Sequence, residues 1–193
     1  MGRALLRFAE RIEAAVRRIG RQAGWLAPLL MLVIVADVLL RRFFGTSSSK
    51  MQELEWHLHG ALFLLAMGFA YLEGAHVRIE VLHERFSPRT KAWIEFLGLL
   101  LTLLPFCAAI FWFGGDYVLR AILSGETSPS PTGLPMRWII KSVLLLGFAL
   151  LALAGLARLL KAGVYLFGPT ELSEATGFAH GEAAESHIEE DRI

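Results

Sequence analysis

Four long apolar runs alternate with shorter polar segments along this chain of 193 residues. The runs occupy residues 25–40, 56–72, 96–115 and 142–157. A hydrocarbon core of about 30 Å takes roughly 20 helical residues, and only the third run is that long without a charge. The others have flanking basic residues, whose stems can follow the apolar wall while their charges stay at the headgroups. The pattern predicts four transmembrane helices.

Strands could cross a bilayer only as a closed barrel. The apolar runs do not alternate with polar residues, and they are too few to close one. Composition agrees, because 55% of the residues are hydrophobic and the mean hydropathy is +0.52. We therefore predict an all-α integral membrane protein.

The two ends of the chain differ from its centre. In residues 1–22, apolar residues recur at helical spacing and arginines occupy the opposite face, which predicts an amphipathic basic helix in the headgroup plane. A basic flank that only directs topology remains an alternative. Residues 23–163 hold the four-helix transmembrane domain, and residues 164–193 form an acidic tail that we expect to be disordered.

Lysine and arginine are retained on the cytoplasmic side of a membrane. The N-terminal segment, the loop after the second run and the C-terminal part hold six, four and three of them, whereas the other two loops together hold six. We therefore expect a multi-pass protein of the bacterial inner membrane with both termini in the cytoplasm. The loops near residues 41–55 and 116–137 would then lie outside.

Charged residues at membrane depth usually mark function. Asp37 lies four residues before Arg41, so the two side chains share a helix face and can form an ion pair. A proton or cation site and a contact with another subunit are the two alternatives for Asp37.

A second polar group surrounds the start of the second run, close to Arg41 and Arg42. It contains Glu53, Glu55 and His57, with His59 two residues further on. Two histidines and two carboxylates could be drawn as a metal site, but residues 57 and 59 point about 200° apart on a helix. We favour a polar cluster that docks a partner and predict no metal.

Cofactor and enzyme signatures are missing from the sequence. No Walker loop, GxGxxG or paired-cysteine signature occurs, and Cys107 is the single cysteine. A haem anchor needs axial ligands at matching depth, and the first, third and fourth runs hold no histidine. We expect no cofactor and no enzymatic activity.

Three segments carry a resemblance to a known family. They read QELEWHL (residues 52–58), HVRIEVLHERFSPRTKAW (76–93) and GETSPSPTGLPMRWIIK (125–141). Together, between four spans, they resemble the small membrane subunit of tripartite ATP-independent periplasmic (TRAP) transporters. The most similar branch is DctQ-like, of the mannitol/chloroaromatic type, and the similarity runs from about residue 22 to residue 163.

The resemblance implies a role in transport. Such a subunit forms a heterodimer with a large membrane subunit, which moves a small organic acid under a sodium gradient after a periplasmic binding protein delivers it. The small subunit is a scaffold, in contact with membrane lipids and with no nucleic acid. Candidate subunit-contact or structural residues in the similar segments, besides those named above, are His76, Arg78, Glu80, Glu126, Pro135 and Trp138.

Two other functions remain open at this stage. Asp37 suits a self-sufficient four-helix exporter coupled to protons, and a small helical membrane protein can also anchor an electron-transfer complex.

Overall fold

The computed structural model describes residues 2–45, 48–75 and 86–178. Within these ranges the regular structure is helical and no strand occurs. The long helices are α1 (Gly2–Ala23), α2 (Leu26–Phe44), α3 (Ser49–Leu72), α4 (Pro88–Gly98), α5 (Leu104–Leu123) and α6 (Trp138–Phe167). The all-α prediction is confirmed.

By length and composition, three stretches of the described residues could cross a membrane: Gly2–Phe44, Pro88–Leu123 and Trp138–Phe167. The second predicted span corresponds to α3, which is not among them. Its first turns carry Glu53, Glu55, His57 and His59, which lower its mean hydropathy.

Packing contacts order the helices as α2, α3, α6 and α5. Helix α1 packs against both α3 and α6, and α4 packs against α6. One end of this row holds the end of α2, the start of α3 and residues 124–137; we call it the loop end. The opposite end holds α1, the end of α3 and the start of α4, and we call it the α1 end.

Glycine brings α3 and α6 close together. A Cβ atom on Gly68 would lie 2.8 Å from the backbone carbonyl of Leu150, and one on Gly147 would lie 2.7 Å from the carbonyl oxygen of Leu64. Small residues at such positions allow helix backbones in a bilayer to approach each other. The buried core continues from this contact through Val16, Leu72, Leu150 and Ala154.

The third predicted span is an irregular helix. Ser87 accepts a hydrogen bond from the backbone N–H of Thr90 at 3.2 Å and so caps α4, with Pro88 in its first turn. A π-helical turn at Leu99–Leu103 then joins α4 to α5. Pro105 follows directly and has no N–H to donate, so the sequence signal for a bend coincides with this wider turn.

The chain after α6 is described as far as residue 178. Short 3-10 turns at Thr170–Leu172 and Glu174–Thr176 pack against α6, and Thr176 is buried. The ring of Phe178 lies 5.5 Å from that of Tyr165. Residues 179–193, the rest of the predicted acidic tail, lie outside the described residues.

Candidate functional site

Asp37 and Arg41 form an ion pair on α2, at the loop end. The Arg41 guanidinium donates to the Asp37 carboxylate one helical turn away, as the spacing indicated. Asp37 is only 3% exposed, whereas the Arg41 side chain is 57% exposed. The arginine therefore satisfies a buried carboxylate while keeping much of its own surface accessible.

A cleft of about 540 Å³ opens beside this pair, between α2 and α3. It brings together four of the predicted site residues, Asp37, Arg41, Arg42 and Glu55. Its lining is completed by Ile34, Val38, Gln52 and Trp56. Charges of both signs and apolar side chains thus share one surface between two helices.

Glu53 lies near the start of α3 and holds the segment 124–137. Its carboxylate accepts a hydrogen bond from the Ser128 hydroxyl and another from the backbone N–H of Leu134, at 2.7 Å. These two bonds, with smaller contributions from the charges of Arg137 and His57, outweigh desolvation and lower the pKa of Glu53. The carboxylate therefore acts as an anionic clamp on a distant segment.

Gly133 is required by this clamp. A Cβ atom there would overlap the Ser128 side chain and lie 2.7 Å from Oε1 of Glu53. Within the segment, the N–H of Ser128 donates to the carbonyl of Leu134 at 3.1 Å. The segment folds back on itself where the glycine leaves room for the carboxylate.

A second carboxylate, Glu126, ties the same segment to α6. It accepts from the Lys141 ammonium, and one of its oxygens lies 4.0 Å from Nε of Arg137. The Lys141 ammonium also lies 3.7 Å from the ring centroid of Tyr117 on α5. Glu126 thereby links α5, the segment and α6.

A sequence model of a known family matches residues 30–162. Its description is tripartite ATP-independent periplasmic transporters, DctQ component. The chain belongs to this family. No curated protein and no solved structure gave a significant match.

The matched region of this DctQ component contains both carboxylate clamps and the cleft. Most of the chain lies within it, from Leu30 in α2 to Ala162 in α6, while α1 and the acidic end lie outside. Family membership makes the chain a component of a TRAP transporter, in a family that works with a large membrane subunit and a periplasmic binding protein. It is a multi-pass inner-membrane protein.

The remaining predicted site residues are spread over the loop end. His57 contacts the backbone carbonyl of Glu53 through Nδ1. Pro135 and Trp138 are exposed on either side of Met136, whose φ of 59° is unusual for a residue with a side chain. The predicted residues His76, Arg78 and Glu80 lie outside the described residues. Among those described, no group of three histidine, cysteine or acidic side chains could hold a metal.

Sequence reasoning missed the partners of the two carboxylates. Ser128 and Gly133 had been considered only as parts of a stiff proline-rich segment, and Lys141 only as a flank of the fourth span. The 75 residues between Glu53 and Ser128 explain this, because a single sequence carries no signal for contacts at such separation. A glycine between prolines 131 and 135 was the available hint of a close approach.

Proposed function

We propose that this DctQ component is the small scaffold subunit of a sodium-coupled TRAP transporter that imports a small organic acid. The observation that carries the proposal is the order of the helices. A row running α2, α3, α6, α5 has two ends and no enclosed interior. Transporters bind substrate between repeats built from broken helices, so a row of this kind suits support of a transport subunit better than transport itself.

The scaffold has four spans in this proposal, with α3 as the second. Its 24 residues give about 36 Å of helix, enough for the hydrocarbon core and one headgroup region. The polar first turns would lie among the headgroups, where Glu53 already has hydrogen-bond partners. The apolar remainder, from Gly60 to Leu72, would lie deeper.

The cleft beside Asp37 is our candidate contact for the large subunit. Helix α2 buries only Leu30 and Asp37 within the chain, so most of its surface is available to lipid or to another protein. Arg42 and Glu55 in the cleft supply charges that lipid chains cannot satisfy, whereas a neighbouring membrane protein can. Helix α5, at the other end of the row, would face lipid with aromatic residues such as Trp112 and Phe113.

The segment 124–137 is our candidate contact for a partner outside the membrane. Two carboxylates hold it, and the exposed Pro135, Met136 and Trp138 lie where it enters α6. A segment held in this way loses little conformational freedom when a partner binds. The large subunit and the substrate-binding protein are both suited to this surface.

Orientation follows from the distribution of basic residues, which supports cytoplasmic termini and α1 in the inner headgroup region. Single cysteines at Ser48, Ser87 and Ser130 in a Cys107→Ala background test it. An impermeant maleimide added to intact cells should label positions 48 and 130 and spare 87. Labelling of position 87 alone would reverse the orientation.

Reconstitution tests the function itself. Liposomes would contain this chain alone, the chain with the large subunit, or both with substrate-loaded binding protein, under an inward sodium gradient and without ATP. We expect substrate to accumulate only with the complete set, and omitting the sodium gradient should abolish it. Accumulation or efflux by this chain alone would contradict the scaffold role, and an Asp37→Asn variant would then test the exporter alternative.

A further inference from the structure

Helix α1 is fixed to the four-helix row along one face. Leu6, Ala9 and Val16 are buried on this face, and at Gly20 a Cβ atom would overlap the side chain of Phe69 on α3. The contact buries five positions of α1, namely Leu6, Ala9, Val16, Gly20 and Ala23.

Ion pairs flank the same face. Lys161 on α6 lies 2.8 Å from Glu13, and both side chains are 13% exposed. Arg17 pairs with Glu73, just after α3. Because these contacts fix the rotation of α1 about its axis, the directions of its other residues are also set.

An exposed apolar strip runs along a second face of α1. Phe8 is 54% exposed and Ile19 is 37% exposed, and Ala15 lies between them on the same face. These positions are seven and four residues apart, which is the spacing of one helix face. The strip is separate from the buried face.

Exposed arginines border this strip. Arg11 follows Phe8 by three residues and Arg18 follows Ala15 by three, so each lies next to the apolar strip. Arg7 continues the basic row, four residues before Arg11. Among the described residues, none of these three arginines takes part in an ion pair, whereas Arg17 does.

We propose that the Arg7, Arg11 and Arg18 strip binds the phosphate groups of anionic phospholipids, with Phe8 and Ile19 inserted among the adjoining acyl chains. Guanidinium groups bind phosphate with paired hydrogen bonds, and an apolar strip beside a basic one is the arrangement that helices use at bilayer surfaces. The opposite charges and the position of α1 directly before a membrane span identify this occupant.

This inference goes beyond the scaffold role. It depends on the membrane location of the chain, and it requires neither sodium coupling nor a particular substrate. Each arginine near an anionic surface contributes roughly five-fold to the preference for that surface. Loss of all three should therefore lower the preference by up to about a hundred-fold.

The test uses the full chain in nanodiscs of phosphatidylcholine containing a minor fraction of phosphatidylglycerol. Native mass spectrometry of protein released from the discs would give the ratio of the two lipids retained. We expect the wild-type chain to be enriched in phosphatidylglycerol. The triple variant Arg7→Gln, Arg11→Gln, Arg18→Gln should lose most of this enrichment, and the matched triple Arg→Lys variant should keep most of it.

Two results would overturn the proposal. The triple Gln variant would retain phosphatidylglycerol as the wild type does, or the wild type would show no enrichment. A chain ending at residue 178 separates the other possible occupant, the acidic residues 179–193. If that segment occupies the strip, its removal should create lipid enrichment absent from the full chain, which would also contradict the proposal.

Discussion

The central helices α3 and α6 and the peripheral helix α2 are all apolar, yet they use their surfaces differently. Between α3 and α6, Gly68 and Gly147 each lie against the backbone of the other helix. Helix α2 buries two residues and exposes Met31 and Leu32 at 66% and 68%. One region of the molecule is internally complete, and the other has an apolar surface that only lipid or another protein can cover.

The difference reflects how membrane proteins associate. Apolar side chains gain little by leaving lipid for one another, so close packing through small residues decides which helices stay together. The same apolar content therefore gives a firm contact at α3–α6 and a loosely held helix at α2. We infer that the central pair maintains the fold and that the α2 side is available for assembly.

Overpacking the central pair should have the largest effect. In Gly68→Leu the new side chain would meet the backbone of Leu150, which cannot move aside without shifting α6. We expect destabilisation of about 1–3 kcal/mol or more, measured by thermal unfolding of the purified chain. Gly115→Leu is the matched control, because a Cβ atom there meets nothing within 4 Å. Equal stability of the two variants would contradict the difference between centre and periphery.

The Glu53 clamp extends the comparison to the segment that joins peripheral α5 to central α6. Because the pKa of Glu53 is lowered in the folded chain, its carboxylate stabilises the fold above the ordinary value of 4.5. That stabilisation should disappear as the pH falls below 4.5 through the lowered value. Glu53→Gln should therefore unfold at a lower temperature than wild type at pH 7, with the difference shrinking below pH 4.5.

Glu55→Gln is the control for this experiment, since no hydrogen bond from the segment 124–137 to Glu55 occurs among the described residues. It should leave the unfolding temperature nearly unchanged at both pH values. A Glu53→Gln difference that grows on acidification would show that the clamp does not depend on the charged carboxylate.

Local patterns predicted much of the fold. Apolar runs indicated where α2, α5 and α6 would lie, and the four-residue spacing of Asp37 and Arg41 indicated their ion pair. Pro105 marked the irregular turn before α5. In each case the determining interaction lies within one or two helical turns, so the sequence itself carries the information.

Contacts between distant segments could not be predicted in this way. Glu53 was noted as a charge at the start of a span, but nothing near it in sequence indicated Ser128 or Leu134 as its partners. The contact of Gly68 with α6 was missed for the same reason, because the partner backbone is about 80 residues away and any helix could have supplied it. The segments with His76, Arg78 and Glu80 stay predictions.

The most direct test of the account compares capture of the large subunit with stability of the isolated chain. Val38→Trp alters the cleft at α2, where Val38 is 56% exposed, and Leu119→Trp alters a similarly exposed position on α5. We expect Val38→Trp to reduce co-purification of the large subunit while leaving the unfolding temperature of the isolated chain unchanged, and Leu119→Trp to change neither. Full capture by Val38→Trp, or loss of stability comparable to that of Gly68→Leu, would contradict the assignment of the α2 side to assembly.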